Sequence, residues 1–165
     1  MNTPQYKELS DAVSLLRQLP GADKELDYTL YSVKILDYVL ADSYQNGRLR
    51  KPDGKFAKYE GRLTLGMAGY ITQVVLKNTN NTQVKIDPTD EKWYMHFKLV
   101  GETGFSIQPA QLVLQRAQKG EPASLHPFIL ASIKKFDLAK ENVSPYKENV
   151  GYTDEPATKP WWKFW

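Results

Sequence analysis

The stretch that most constrains this chain runs from Asp23 to Ser43, where apolar side chains recur on two faces of one helix. Leu26, Leu30, Val33, Leu36 and Leu40 make one stripe; Tyr28, Tyr31, Ile35 and Tyr38 make the second. A helix that is apolar on two faces must be covered on both, so it belongs inside a fold and not on its surface. An earlier helix is expected over about 4–19: Thr3-Pro4 supplies a hydroxyl cap and a proline at the first helical position, and Leu9, Val13, Leu16 and Leu19 follow at helical spacing. Leu19-Pro20-Gly21 stops it. The short link predicts an antiparallel helical hairpin.

After a glycine-rich, basic stretch from Gln45 to Gly61, read as a loop or mobile hairpin, the period changes to two. Leu63, Leu65, Met67 and Ile71 alternate with polar or small residues, and Gly66 and Gly69 suggest a bend or bulge in a strand. A turn by composition follows over 77–82, then a return strand at Val84 and Ile86. The clearest strand is Trp93 to Val100: Trp93, Met95, Phe97 and Leu99 face one way, Tyr94, His96 and Lys98 the other. Gly101-Glu102-Thr103-Gly104 turns into Phe105 and Ile107. Three to four short strands joined by tight turns predict an antiparallel meander. Two helices complete the pattern, one over 109–119 ended by Gly120, one starting at Pro127 with Phe128, Ile129, Ile133 and Phe136 along one side. The expected fold is α+β.

Of the 165 residues, 41% are hydrophobic, enough for a core without staples. Periodicity fades after about Glu141, so residues 1–140 are expected to form a single α+β domain and 141–165 an extended C-terminal tail. With no cysteine, disulfides, thiolate metal sites and thiol nucleophiles are excluded. The N-terminal MNTPQYKELSDAV is not a secretory signal, and no apolar run reaches the roughly 18–20 residues of a spanning helix. A cytoplasmic protein with no transmembrane segment is expected.

The formal net charge of +3 permits nucleic-acid binding without requiring it, so the placement of charge decides. Arg48, Arg50, Lys51, Lys55, Lys58 and Arg62 are interleaved with Tyr44, Phe56 and Tyr59, and Asp53 and Glu60 are the only acids among them. Guanidinium and ammonium groups neutralise phosphates and release counterions. Aromatic rings stack on unpaired bases. The expected nucleic-acid contacts are therefore Arg48, Arg50, Lys51, Lys55, Phe56, Lys58, Tyr59 and Arg62. The competing reading is a solvated loop whose charges only keep it soluble.

Other constellations are weaker. Tyr94, His96 and Lys98 would form an open sheet face, able to hold single strands only if no helix covers it. Lys134, Lys135 and Lys140 read as the wet face of the last helix. Asp53 with Asp90 and Lys92 only loosely fits the two carboxylates and a lysine of a Mg²⁺ nuclease. Neither G-x-S-x-G nor G-x-x-x-x-G-K-[ST] occurs, and the two histidines have no visible partner at ligand spacing. No catalytic residue, cofactor or metal is expected.

The tail carries three of the four tryptophans, Trp161, Trp162 and Trp165, with Phe164 among them. Such a cluster needs a cover: its own domain, a second copy in a homo-oligomer, a protein partner or a membrane surface. The sequence thus points to a small non-enzymatic nucleic-acid-binding or accessory protein. The alternative is a protein-interaction module (adaptor, inhibitor or assembly factor) that docks through the Trp cluster.

Overall fold

A computed structural model describes residues 3–19, 22–51 and 55–136, without the side chains of Lys55 and Phe56. Helix α1, Pro4–Arg17, buries Leu9, Ala12, Val13 and Leu16. Its main partner is the central helix α4, Lys55–Asn78. The two backbones approach closely because α4 presents Gly66 and Gly69 to α1. A Cβ at Gly66 would lie 2.6 Å from the Ala12 carbonyl oxygen, and one at Gly69 would lie 2.6 Å from Val13 Cγ2.

This overturns the strand expected at 63–76. Leu63, Leu65, Met67, Ala68, Tyr70, Ile71, Val74 and Val75 are all buried. A helix covered on every side satisfies an alternating pattern as readily as a strand does, so the period carried no information here. The glycines mark a helix crossing, not a bulge.

The helix expected over 23–43 is broken. Short helix α2, Ala22–Glu25, and helix α3, Val33–Ser43, flank a tight connection. There the Asp27 carboxylate accepts from the Thr29 amide at 3.0 Å and the Thr29 hydroxyl at 2.7 Å, and Ser32 Oγ donates to the Thr29 carbonyl at 2.6 Å. Such side-chain bonds compete with the helical ladder. Tyr28 sits at φ 65°, a strained position for a bulky residue. Its ring stacks on Tyr70 at 4.9 Å, with the Lys77 ammonium 4.1 Å from its centroid, and its amide donates to the Tyr70 hydroxyl at 2.7 Å. The expected hairpin of two long helices is therefore replaced by α1 packed on α4.

Trp93 to Val100 is not one strand either. Helix α5, Trp93–His96, is a single turn, and strand β4, Lys98–Val100, follows it. Trp93, Phe97 and Leu99 are buried, Met95 is half-buried, and Tyr94, His96 and Lys98 are exposed. Trp93 and Phe97 share a face because they are one helical turn apart. Strands β3 (Gln83–Lys85), β4 and β5 (Ser106–Ile107) form an antiparallel sheet in that order, with Val84 opposite Leu99 and Leu99 opposite Ile107. The Tyr6 hydroxyl donates to the Val84 carbonyl at 3.0 Å and ties β3 to α1.

Helix α6, Pro109–Lys119, ends at Gly120; a 3₁₀ turn, Glu121–Ala123, leads into helix α7, Leu125–Phe136. Along α7, Ile129, Ile133 and Phe136 are buried, while Phe128 is 44% exposed. The buried apolar residues form one cluster reaching from Leu9 to Phe136. The molecule is α+β, mostly helical with two small antiparallel sheets. Among the described residues no helix is long and apolar enough to cross a membrane.

Candidate functional site

The stretch read as a loop or mobile hairpin opens with a two-stranded ribbon, and its second half, expected to be irregular, is the start of α4. Strands β1 (Tyr44–Gln45) and β2 (Arg48–Leu49) pair antiparallel, with Gln45 opposite Arg48. The turn residues Asn46 and Gly47 have φ of 51° and 74°. Two consecutive left-handed residues define the hairpin turn that Asn-Gly favours. The turn rests on the end of α6, since a Cβ at Gly47 would meet the Gln118 carbonyl oxygen at 3.4 Å.

The ribbon is fixed at its base. The Arg50 amide donates to the Ser43 carbonyl at 2.9 Å, and Arg50 Nε to the Tyr44 carbonyl at 3.3 Å. The Tyr44 hydroxyl donates to Glu60 Oε1 and so staples β1 to α4. Burial first, then the hydrogen bond and charge of Glu60, push the Tyr44 phenol well above its ordinary value. One of the two acids in the stretch is thus engaged with a phenol.

Arg48 is exposed on the ribbon, and Arg50 and Lys51 are exposed just after it. Lys58 and Arg62 are exposed one turn apart on α4, and the Lys58 ammonium lies 5.5 Å from the ring of Tyr59, itself 39% exposed. Among the described residues none of these five cations forms an ion pair with a carboxylate. Residues 52–54 and the side chains of Lys55 and Phe56 lie outside the described residues, as do Trp161, Trp162, Phe164 and Trp165.

Tyr94, His96 and Lys98 do not share a sheet face, because the first two lie on α5. His96 Nδ1 is 2.7 Å from Asp90 Oδ2, while Asp90 Oδ1 accepts from the Lys92 amide at 2.8 Å. These bonds, His96 first, hold the Asp90 carboxyl below its ordinary value. Asp90 is thus occupied in shaping the approach to α5; Asp53 lies outside the described residues. Among the described residues no three His, Asp or Glu side chains gather as a metal site would need.

Sequence reasoning missed a polar node beside the ribbon. Asp37, buried on α3, accepts from Arg116 Nε at 2.8 Å, from the Leu125 amide at 2.8 Å and from the His126 amide at 3.0 Å. It pairs with a buried guanidinium and caps α7 from another element. The available signal was one acid set among Val33, Ile35, Leu36, Val39 and Leu40. An open groove of about 590 Å³ lies over the node, bounded by α3, the ribbon turn, the end of α6 and the start of α7. His126 lines it, and burial, then the charge of Lys34, lowers its imidazole pKa from the usual 6.5.

Comparison with family models, with curated proteins and with solved structures gives no match for this chain.

Proposed function

We propose that the chain is a non-enzymatic nucleic-acid-binding or accessory protein whose ribbon and adjoining α4 turns contact phosphates. One observation carries the reading: Arg48 on a short ribbon anchored at its base, Arg50 and Lys51 just after it, and Lys58 and Arg62 on the helix to which the ribbon is tied all stand exposed, with no carboxylate paired to them among the described residues. Cations held on a fixed scaffold bind polyanions at a smaller ordering cost than cations on a free loop. In this reading residues 1–140 act as one unit in the cytoplasm, and 141–165 are appended to it. The test is the triple variant Arg48→Glu, Arg50→Glu, Lys51→Glu. Loss of retention on heparin and DNA columns with an unchanged circular dichroism melt supports the reading; unchanged retention refutes it.

A second reading, a protein-interaction module, has its own observation. Phe128 is exposed beside a groove of about 410 Å³ formed with Leu112, Pro122, Leu125 and Pro127. Exposed apolar surface of this kind suits a docking peptide. In this reading Trp161, Trp162, Phe164 and Trp165 supply the contacts. Deleting residues 160–165 lowers the melting temperature or dissociates an oligomer if the cluster docks on its own chain or a copy. An unchanged melt and mass would assign the cluster to a different partner.

A further inference from the structure

We propose that the groove between α6 and α7 is filled by the chain's own aromatic cluster, Trp161 to Trp165, so that the molecule covers its own docking surface; this rests on the interaction-module reading of that cluster.

The described elements leave the groove open. Leu112 of α6, Pro122 of the 3₁₀ turn, and Leu125 and Pro127 at the start of α7 line it, with Phe128 at its side. Phe128 is 44% exposed, and among the described residues no other phenylalanine or tryptophan stands so open. An open ring next to prolines and leucines offers an indole both apolar area and an aromatic partner. The volume of about 410 Å³ falls in the range of small-ligand sites and has room for roughly one or two indole rings.

The charges suit this occupant. The lining carries one cation, Lys119, and one anion, Glu121. Among the described residues the Glu121 carboxylate forms no ion pair. From Lys159 to Trp165 the sequence holds two lysines and no acid, and Lys163 stands between Trp162 and Phe164. Rings set in the groove therefore bring an ammonium group to the side of Glu121.

Reach favours the same chain over a second copy. The described chain ends at Phe136, whose ring packs on Phe105 at 4.9 Å between centroids and closes the space over Gly101, where a Cβ would lie 2.7 Å from Phe136 Cδ1. The end of α7 is thus fixed against the β4–β5 turn, and the groove lies at its start. Along α7 from Leu125 to Phe136 that separation is about 17 Å. Residues 137–160 can span up to about 80 Å, several times the distance needed. A tether long enough to span its two sites holds the linked ligand at an effective concentration of up to about a millimolar. A second copy in dilute solution offers the same contacts at a far lower concentration.

The experiment measures, by fluorescence anisotropy, binding of a fluorescein-labelled peptide of residues 157–165 to two full-length proteins. One is wild type; the other lacks its own cluster through Trp161→Ala, Trp162→Ala, Phe164→Ala and Trp165→Ala. The expected result is that the cluster variant binds the peptide, while wild type, with its groove filled, binds at least about tenfold more weakly. Adding Phe128→Glu to the cluster variant should abolish binding. Phe128 is exposed enough for this change to be tolerated, and a circular dichroism melt checks it. Equal binding by both proteins, lost with Phe128→Glu, overturns self-docking and leaves the interaction-module reading standing. Weak binding by a wild type that sediments as a dimer assigns the groove to a second copy and also overturns self-docking. Binding that Phe128→Glu leaves untouched overturns the groove as the site. No binding to either protein up to about millimolar concentration overturns both readings.

Discussion

Asp37 satisfies more partners than any other carboxylate described above, and its loss would be felt at each. Asp37→Ala leaves the Arg116 guanidinium buried without its counter-charge and strips the first two amides of α7 of their acceptor. Breaking a buried pair on one side costs about 3–5 kcal/mol. Urea unfolding should show a loss of that size, and Asp37→Asn, which keeps one acceptor oxygen, should recover part of it. The neighbouring His126 gives the stability a pH dependence of known sign. Its imidazole pKa lies below the usual 6.5 in the folded chain, so the unfolded chain takes up the proton first. Stability should therefore fall as the pH drops from about 6.5 through the folded pKa, and be independent of this group above that window. Unfolding midpoints taken at about pH 7 and pH 5 should differ less in His126→Gln than in wild type.

At the scale of elements, the α1–α4 crossing makes two glycines of one helix respond oppositely. Gly61 has open space around it: no atom would lie within 4 Å of an added Cβ. Gly61→Ala should stabilise by about 0.5–1 kcal/mol, the ordinary helix preference. Gly66→Ala gains the same preference but drives its methyl to 2.6 Å from the Ala12 carbonyl oxygen, which is backbone and can yield only if α1 moves. A net loss of about 1–3 kcal/mol is expected. Chemical denaturation of the two variants side by side checks the opposite signs. The same helix shows how far the sequence could be read. Helices α1 and α6 were legible because each has a proline start, one wet face and a definite stop. Helix α4 was not, because burial on nearly every side of its 63–75 stretch erases the contrast on which periodicity depends. The double stripe over 26–40 misled for another reason: Asp27, Thr29 and Ser32 break the helix through local hydrogen bonds that an apolar pattern does not register. The basic run was visible as composition, and its Asn46-Gly47 turn as a hairpin signal. The groove over the Asp37 node depends on α3, α6 and α7 meeting, and no short-range pattern reveals that.

For the whole molecule, a formal charge of +3 is too small to drive polyanion binding by itself, so the proposed affinity depends on local concentration of charge. If Arg48, Arg50, Lys51, Lys58 and Arg62 each neutralise one phosphate of a single strand, log Kd should rise with log salt with a slope of about 3.5. Measuring Kd for single strands across a salt series checks this number, and Lys58→Ala alone should lower the slope by about 0.7. A slope near zero would remove these residues from the interface.

The Asp37 node also has a consequence in time. The groups that satisfy its carboxylate lie 79, 88 and 89 residues further along the chain. During synthesis at roughly 5–20 residues per second, α3 is complete for about 4–17 s before the first turn of α7 exists to receive its cap. Until Arg116 is made, a carboxylate destined for the interior has only water as its partner, and until α7 follows, the apolar faces of α3 and α4 have no α7 to cover them. A nascent chain halted before Leu125 thus has its α3 and α4 faces open where α7 would lie, and they are closed only when α7, the last helix among the described residues, is made.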